Sequence, residues 1–226
     1  MELVARESRL LPYIDMPIQH ASDPVLELMR RPERQASLRS RIAWLRDAIP
    51  DLTLRTTAMV GFPGETDDDF RGLLDFMEEI EFDRLGAFGF SPQAGTRAAG
   101  MEDRFVPDEV TRDRLEELLE VQRAISARSL AGLIGRRCSA IVDDPSPGDG
   151  SGDGVGRLGS QADDVDGVTR LLSASSLHTG ELLDVEVVEA HDFDVTARVR
   201  AVTSMRRRKR RSLPVAPLGL DTAFGK

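Results

Sequence analysis

The apolar positions of this 226-residue chain change period as they run, and the changes mark its elements. Leu11 to Ile18 is a short apolar run between prolines, which predicts a buried strand. Ser22-Asp23-Pro24 supplies a helix cap and an early-helix proline. Leu38, Ile42, Leu45 and Ile49 recur at helical spacing, and Pro50-Asp51 stops that helix. Leu52 to Val60 reads as a second strand and Arg84 to Phe90 as a third. Between them, Phe70, Leu73, Leu74, Met77 and Ile80 set one apolar face along a helix. Thr66 caps that helix, and Asp67, Asp68 and Asp69 occupy its positive first turn. Pro107 opens a long helical pattern through Leu115, Leu118, Leu119, Ile125 and Leu130 that ends at Gly135. Strands alternating with helices predict a parallel sheet with helical crossovers.

The pattern changes after Gly135. Cys138 to Val142, Val165 to Leu172, Leu182 to Ala190 and Val195 to Val202 read as short strands, with a hairpin at His191 to Asp194. Asp143 to Gly159 is rich in Gly, Asp, Ser and Pro and predicts a loop that builds no core. Several short strands so close together predict a small barrel or sandwich. From Ser204 the chain is basic, then Pro- and Gly-containing, and is expected to be a disordered tail.

Composition narrows the class. Two fifths of the residues are hydrophobic and about a third are charged, an ordinary globular balance. No apolar run approaches the ~20 residues of a membrane helix, so no membrane partner is expected. The start of the chain lacks the basic flank and apolar core of a signal peptide. A single cysteine, Cys138, excludes an internal disulfide framework and fits a reducing, cytoplasmic setting. Net charge is −9; the block Arg206 to Arg211 carries six positive charges, which leaves −15 elsewhere. An acidic body with a basic tail is not a uniformly basic nucleic-acid surface. The tail block lacks interleaved aromatics, so it can add salt-sensitive attraction to RNA without base stacking.

The candidate chemistry gathers at the three predicted strand ends. Gln19 and His20 follow the first strand, Gly61-Phe62-Pro63-Gly64-Glu65 follows the second, and Ser91 follows the third. Ligands of α/β sheets sit beyond the carboxyl ends of the strands, and glycine lets backbone approach a ligand closely. The loop lacks the Lys-Ser/Thr ending of a P-loop, which argues against a nucleoside triphosphate. Each motif has a plainer structural reading: a strand-to-helix connector at Gly61, a structural histidine at His20, and a Pro/Gly turn at Ser91.

The string Val60-Gly61-Phe62-Pro63-Gly64-Glu65-Thr66-Asp67-Asp68-Asp69-Phe70, with Pro12 to His20 and Phe88-Gly89-Phe90-Ser91-Pro92-Gln93-Ala94-Gly95-Thr96, resembles the radical S-adenosylmethionine (SAM) methylthiotransferases. The pair Gln19-His20 favours the RimO type, which modifies an aspartate of a small-subunit ribosomal protein. Phe90 and Gln93 depart from the tyrosine and glutamate usual there. Gly156-Arg157 and Ala162 to Val168 resemble the strand-and-turn pattern of a TRAM domain.

The resemblance implies an α/β partial (β/α) barrel half followed by a small all-β TRAM-like barrel. Residues 1–132 would be the rear part of the partial barrel, 133–203 the TRAM-like barrel and 204–226 the tail. It implies cofactor contacts to SAM from Gln19, His20, Gly61, Glu65 and Ser91. It also implies [4Fe–4S] clusters in the complete enzyme: a reduced cluster cleaves SAM to a 5′-deoxyadenosyl radical, and sulfur and methyl are installed with a second cluster. The Cys-x3-Cys-x2-Cys motif such clusters need is absent, so the chain reads as a rear fragment, inactive by itself, with no catalytic or metal-ligating residue of its own. The implied partners are a small-subunit ribosomal protein or the ribosome, with RNA contact through the TRAM barrel and the tail. A tRNA methylthiotransferase and a non-catalytic RNA- or ribosome-binding fragment are the competing readings. With half a barrel missing, the first strand is expected to be an exposed edge.

Overall fold

The computed structural model describes residues 4, 6–7, 10–145, 154–173 and 176–203. The expected disordered tail lies outside these residues. The first unit is a three-stranded parallel sheet, β1 (Tyr13–Asp15), β2 (Thr53–Val60) and β3 (Arg84–Gly89), in that order. Its crossovers are α1 (Asp23–Leu28) and α2 (Gln35–Ala48), then α3 (Asp67–Ile80). α4 (Asp108–Ala131) packs on β3 and α3.

Along β2 the buried positions Leu54, Ala58 and Val60 meet Leu73, Phe76 and Met77 of α3 and Ile42 and Leu45 of α2 in one core. Each of these side chains larger than alanine is worth about 1.5–3 kcal/mol when removed from water. Arg55, Thr57 and Met59, of the other parity, face the concave side of the sheet and remain partly exposed. Thr66 caps α3 as expected: its hydroxyl accepts from the Asp69 N–H at 3.2 Å, and the Asp69 carboxylate accepts from the Thr66 N–H at 3.0 Å.

Three details differ from the sequence expectations. The first strand spans Tyr13–Asp15 only, because Pro12 and Pro17 each lack the N–H a ladder needs. β1 pairs on one side alone, with β2, and Leu11 is exposed before it. Ser22 makes no side-chain cap to α1; its hydroxyl donates instead to the Asp69 carboxylate. The long helix ends at Ala131, four residues before Gly135, and Leu119 faces solvent.

The second unit is a closed five-stranded barrel of β4 (Arg137–Asp144), β5 (Gly154–Leu158), β6 (Thr169–Leu172), β7 (Leu182–Ala190) and β8 (Val195–Thr203), ordered β4-β5-β6-β8-β7. All its pairs are antiparallel except β6 with β8. Closure removes the free sheet edge. The stretch expected to build no core contributes β5, whose Gly154, Gly156 and Leu158 face inward. A Cβ on Gly156 would lie 2.1 Å from the Ile141 carbonyl oxygen. The glycines there mark close strand approach, not a floppy loop. Residues 165–168 lie outside any strand, and β6 starts at Thr169. Leu130, from the end of α4, belongs to the barrel core and ties the two units together.

Candidate functional site

The carboxyl ends of the strands bring together Gln19, Gly61 and Ser91. After Pro17 the chain re-enters the sheet: the Gln19 N–H donates to Thr57 O (2.8 Å) and the Met59 N–H to Gln19 O (2.7 Å). Gln19 holds φ at +66°, a left-handed conformation uncommon outside glycine. The Phe90 N–H donates to Val60 O (2.8 Å), which continues β3 past its last residue and sets Ser91 at the same edge, exposed. Phe62, Phe90 and Phe105 stack edge to face and tilted, with centroids 5.3 and 5.9 Å apart. Beside them opens a cleft of about 290 Å³ lined by Gln19, Met59, Phe62, Leu28, Arg30 and Arg97.

Gly61, at φ +73°, is required by the fold itself. A Cβ there would lie 2.2 Å from Thr111 Oγ1 of α4. The room its missing side chain leaves is taken by this helix.

His20 and Glu65 meet beneath the strand ends, both closed to solvent, with Nε2 3.7 Å from Glu65 Oε2. The Ser22 N–H donates to His20 Nδ1 at 2.9 Å. A neutral ring with an accepting Nδ1 carries its proton on Nε2. That nitrogen has no hydrogen-bond partner within range. Burial lowers the His20 pKa from 6.5 to about 4; Asp69 opposes the shift and Arg114 adds to it. Glu65 accepts from the Phe62 N–H at 3.2 Å and from Arg114 Nη1 at 2.9 Å. Burial pushes its carboxyl up, while Arg114 and the Phe62 and Gly61 N–H groups pull it down. Arg114 also donates to Asp67 (2.6 Å) and covers the Phe70 ring. Glu65 thus holds the glycine loop from inside with the buried His20 beside it, Gln19 and Phe62 line the cleft on the open side, and Ser91 is exposed at the same sheet edge.

Arg114 and Thr111, which complete this arrangement, had no distinguishing feature as single residues. Their signal was the face of α4 that runs Thr111, Arg114, Leu118, Gln122, Ile125 and Ser126. It mixes polar with apolar residues, yet all but Thr111 are buried, and the Thr111 side chain packs against Gly61.

Cys138, the one cysteine, lies half-buried in β4, where burial pushes its thiol up. Among the described residues no group of three or more His, Cys, Asp and Glu is disposed to hold a metal ion. An iron–sulfur cluster takes several thiolates, so the residues of this chain do not fit one. The cleft at the strand ends is lined by apolar Leu28, Met59 and Phe62 and by polar Gln19, Arg30 and Arg97, a mix suited to a ligand with apolar and polar parts, as SAM has. No described helix is long and apolar enough to cross a membrane.

Parallel strands ending in this cleft, followed by a closed five-stranded barrel, define a radical SAM domain segment joined to a TRAM domain. Family models agree: residues 2–77 match the radical SAM superfamily and residues 134–199 the TRAM domain. A ribosomal protein uS12 methylthiotransferase RimO from Azorhizobium caulinodans is 43% identical over 195 residues, which cover 86% of this chain and 42% of that protein. RimO proteins from Anaeromyxobacter sp. (39% identical, 98% of this chain, 46% of that one) and Thermus thermophilus (43%, 84% and 43%) align similarly. Escherichia coli HemN, a radical SAM enzyme, overlaps with a TM-score of 0.45 at 15% identity over 70% of this chain and 42% of its own. The chain belongs to the radical SAM methylthiotransferases, RimO type. It spans about two fifths of the length of the curated relatives it matches.

Proposed function

We propose that this chain forms the SAM-facing strand ends and the TRAM barrel of a methylthiotransferase acting on ribosomal protein uS12. The observation that carries the reading is the about 40% identity to RimO proteins over most of the chain, together with a strand-end cleft lined by Gln19, Met59 and Phe62. In this reading SAM, once bound, supplies the reactive sulfonium. Gln19 and the exposed Ser91 offer polar contacts at the cleft edge. The Gly61 to Glu65 loop, stiffened by His20, Glu65 and Arg114, keeps the backbone beside the ligand in place. Phe62, Phe90 and Phe105 exclude water from one side. The cluster thiolates come from outside this chain, since its own residues do not fit a cluster. The proposed domain limits are 1–132 for the barrel part and 133–203 for the TRAM barrel. The names of these relatives support a ribosomal protein as the partner, and the TRAM match supports RNA contact through the barrel.

The test is direct binding. Calorimetric titration of the purified chain with SAM should give saturable heat that Gln19→Ala weakens several-fold. No SAM binding by the chain, alone or after mixing with a cluster-bearing front half of a RimO protein, would refute the pocket. Mass spectrometry of uS12 peptides after incubation with the mixed halves then reads the methylthio transfer itself.

A further inference from the structure

The loop between β5 and β6 carries an acidic side chain away from its own barrel and under the parallel sheet. Asp166 is almost wholly buried, with 2% of its side chain accessible. Its Oδ2 accepts from the Tyr13 hydroxyl of β1 at 2.8 Å and from the Ala162 N–H of its own loop at 2.8 Å. Two arginines of the concave face approach it: Arg55 Nε of β2 stands 3.9 Å from Oδ1 and Arg84 Nε of β3 4.0 Å from Oδ2. One carboxylate therefore touches all three strands of the sheet.

The loop is built to hold that pose. Gln161, buried, accepts from the Leu158 N–H (2.8 Å) and the Thr169 hydroxyl (2.6 Å) and donates to Gly167 O (2.6 Å). Asp164 turns the chain at φ +60°. A Cβ on Gly167 would lie 1.9 Å from the Phe193 carbonyl oxygen, so the loop seats against the β7–β8 hairpin only with glycine there. On the sheet side the charges are matched: Arg55 also donates to Asp15 at 2.7 Å. Arg84 is buried, its Nε lacks a hydrogen bond, and its Nη1 reaches only Ser126 at 3.4 Å. Without Asp166, Arg84 would be a buried cation with no counter-charge in reach among the described residues, a costly state.

We propose that Asp166 is a positioning residue: its carboxylate pins the small barrel to the concave face of the parallel sheet and fixes Tyr13, Arg55 and Arg84 there. The pin sets the charge of the face below the strand-end cleft. It also makes the barrel, and any macromolecule it holds, a rigid extension of that face. The pin itself follows from the contacts above; only its bearing on a modified substrate rests on the proposed function. Release of Asp166 would leave Arg55 to Asp15 alone, take the counter-charge from Arg84 and remove one of the ties between barrel and sheet.

Tyr13 is the only tyrosine in the chain, so the pin has its own spectroscopic reporter. Burial and the hydrogen bond to Asp166 push its phenol up, Asp15 adds to this, and Arg55 opposes. Alkaline titration of the whole chain by tyrosinate absorbance, with circular dichroism alongside, should show Tyr13 ionising only as the fold is lost. In Asp166→Asn, ionisation should begin at lower pH, in the folded chain. A wild-type phenol that titrates in the ordinary free-tyrosine range while the chain stays folded would overturn the pin, and this arm needs no variant. A urea double-mutant cycle joins Tyr13→Phe and Asp166→Asn. The double variant should lose no more midpoint than the worse single variant; strictly additive losses would also overturn it. Neither measurement uses SAM, so failure here is distinct from failure of the proposed pocket.

Discussion

Gly61→Ala offers a sharp test of how the glycine loop is held. The new methyl would sit 2.2 Å from Thr111 Oγ1, 2.5 Å from its Cγ2 and 2.8 Å from its Cβ. No rotation of Thr111 relieves the last contact, so α4 must retreat from the loop. The backbone conformation adds a second cost, because φ is +73°. A left-handed residue with a Cβ costs roughly 1–2 kcal/mol. Overpacking in a closed core costs typically about 1–3 kcal/mol. The sum, about 2–5 kcal/mol, is a large share of the about 5–15 kcal/mol that stabilises a domain. The two parts separate in a cycle with Thr111→Ala. That substitution deletes the two nearest atoms and leaves the φ cost untouched. Gly61→Ala should therefore cost at least about 1 kcal/mol less in the Thr111→Ala background, a coupling typical of residues in contact. The helices of the described residues all lie in the sheet unit, so the helical circular-dichroism signal in urea follows the right transition. A cost below about 0.5 kcal/mol, the level of an ordinary surface change, or one that is equal in both backgrounds, would refute the packing account.

Two further outcomes follow from the buried network. The His20 pKa is lowered from 6.5 in the unfolded chain to about 4 in the folded one. Its contribution to stability is thus present above pH 6.5 and lost as pH falls through about 4; at 1.36 kcal/mol per unit the loss is about 3 kcal/mol. Urea midpoints measured across that window should fall more steeply for the natural chain than for His20→Gln; parallel profiles would count against a buried neutral histidine. Arg114→Met strands the buried Glu65 carboxylate, and breaking such a pair costs about 3–5 kcal/mol. Adding Glu65→Gln should restore much of the loss, and a double variant as unstable as the single one would sink the ion-pair explanation.

The sequence by itself determined the elements and the edge on which the candidate residues gather. Period alone located β2, α3, β3, α4 and four of the small barrel's five strands, β4, β6, β7 and β8, since each buries one face and its pattern is local. The Thr66 cap and the acidic first turn of α3 were legible for the same reason. The strand-end motifs placed Gln19, Gly61 and Ser91 at one edge because parallel strands with crossovers leave them no other arrangement.

Tertiary structure decided what each residue does there. Gly61 suggested close approach to a ligand, and its Cβ position is filled by Thr111, which lies fifty residues away in sequence. His20 and Glu65 suggested contacts, and both are sealed inside with Arg114. The Gly- and Asp-rich stretch hid β5, because a strand built on glycines for close packing has no apolar alternation to read. Asp166 looked like one more acid in a solvated loop. Its burial against Tyr13, Arg55 and Arg84 depends on how two units dock, and no local pattern encodes that. Local periodicity records which side of an element is buried; only the packed chain records what it is buried against.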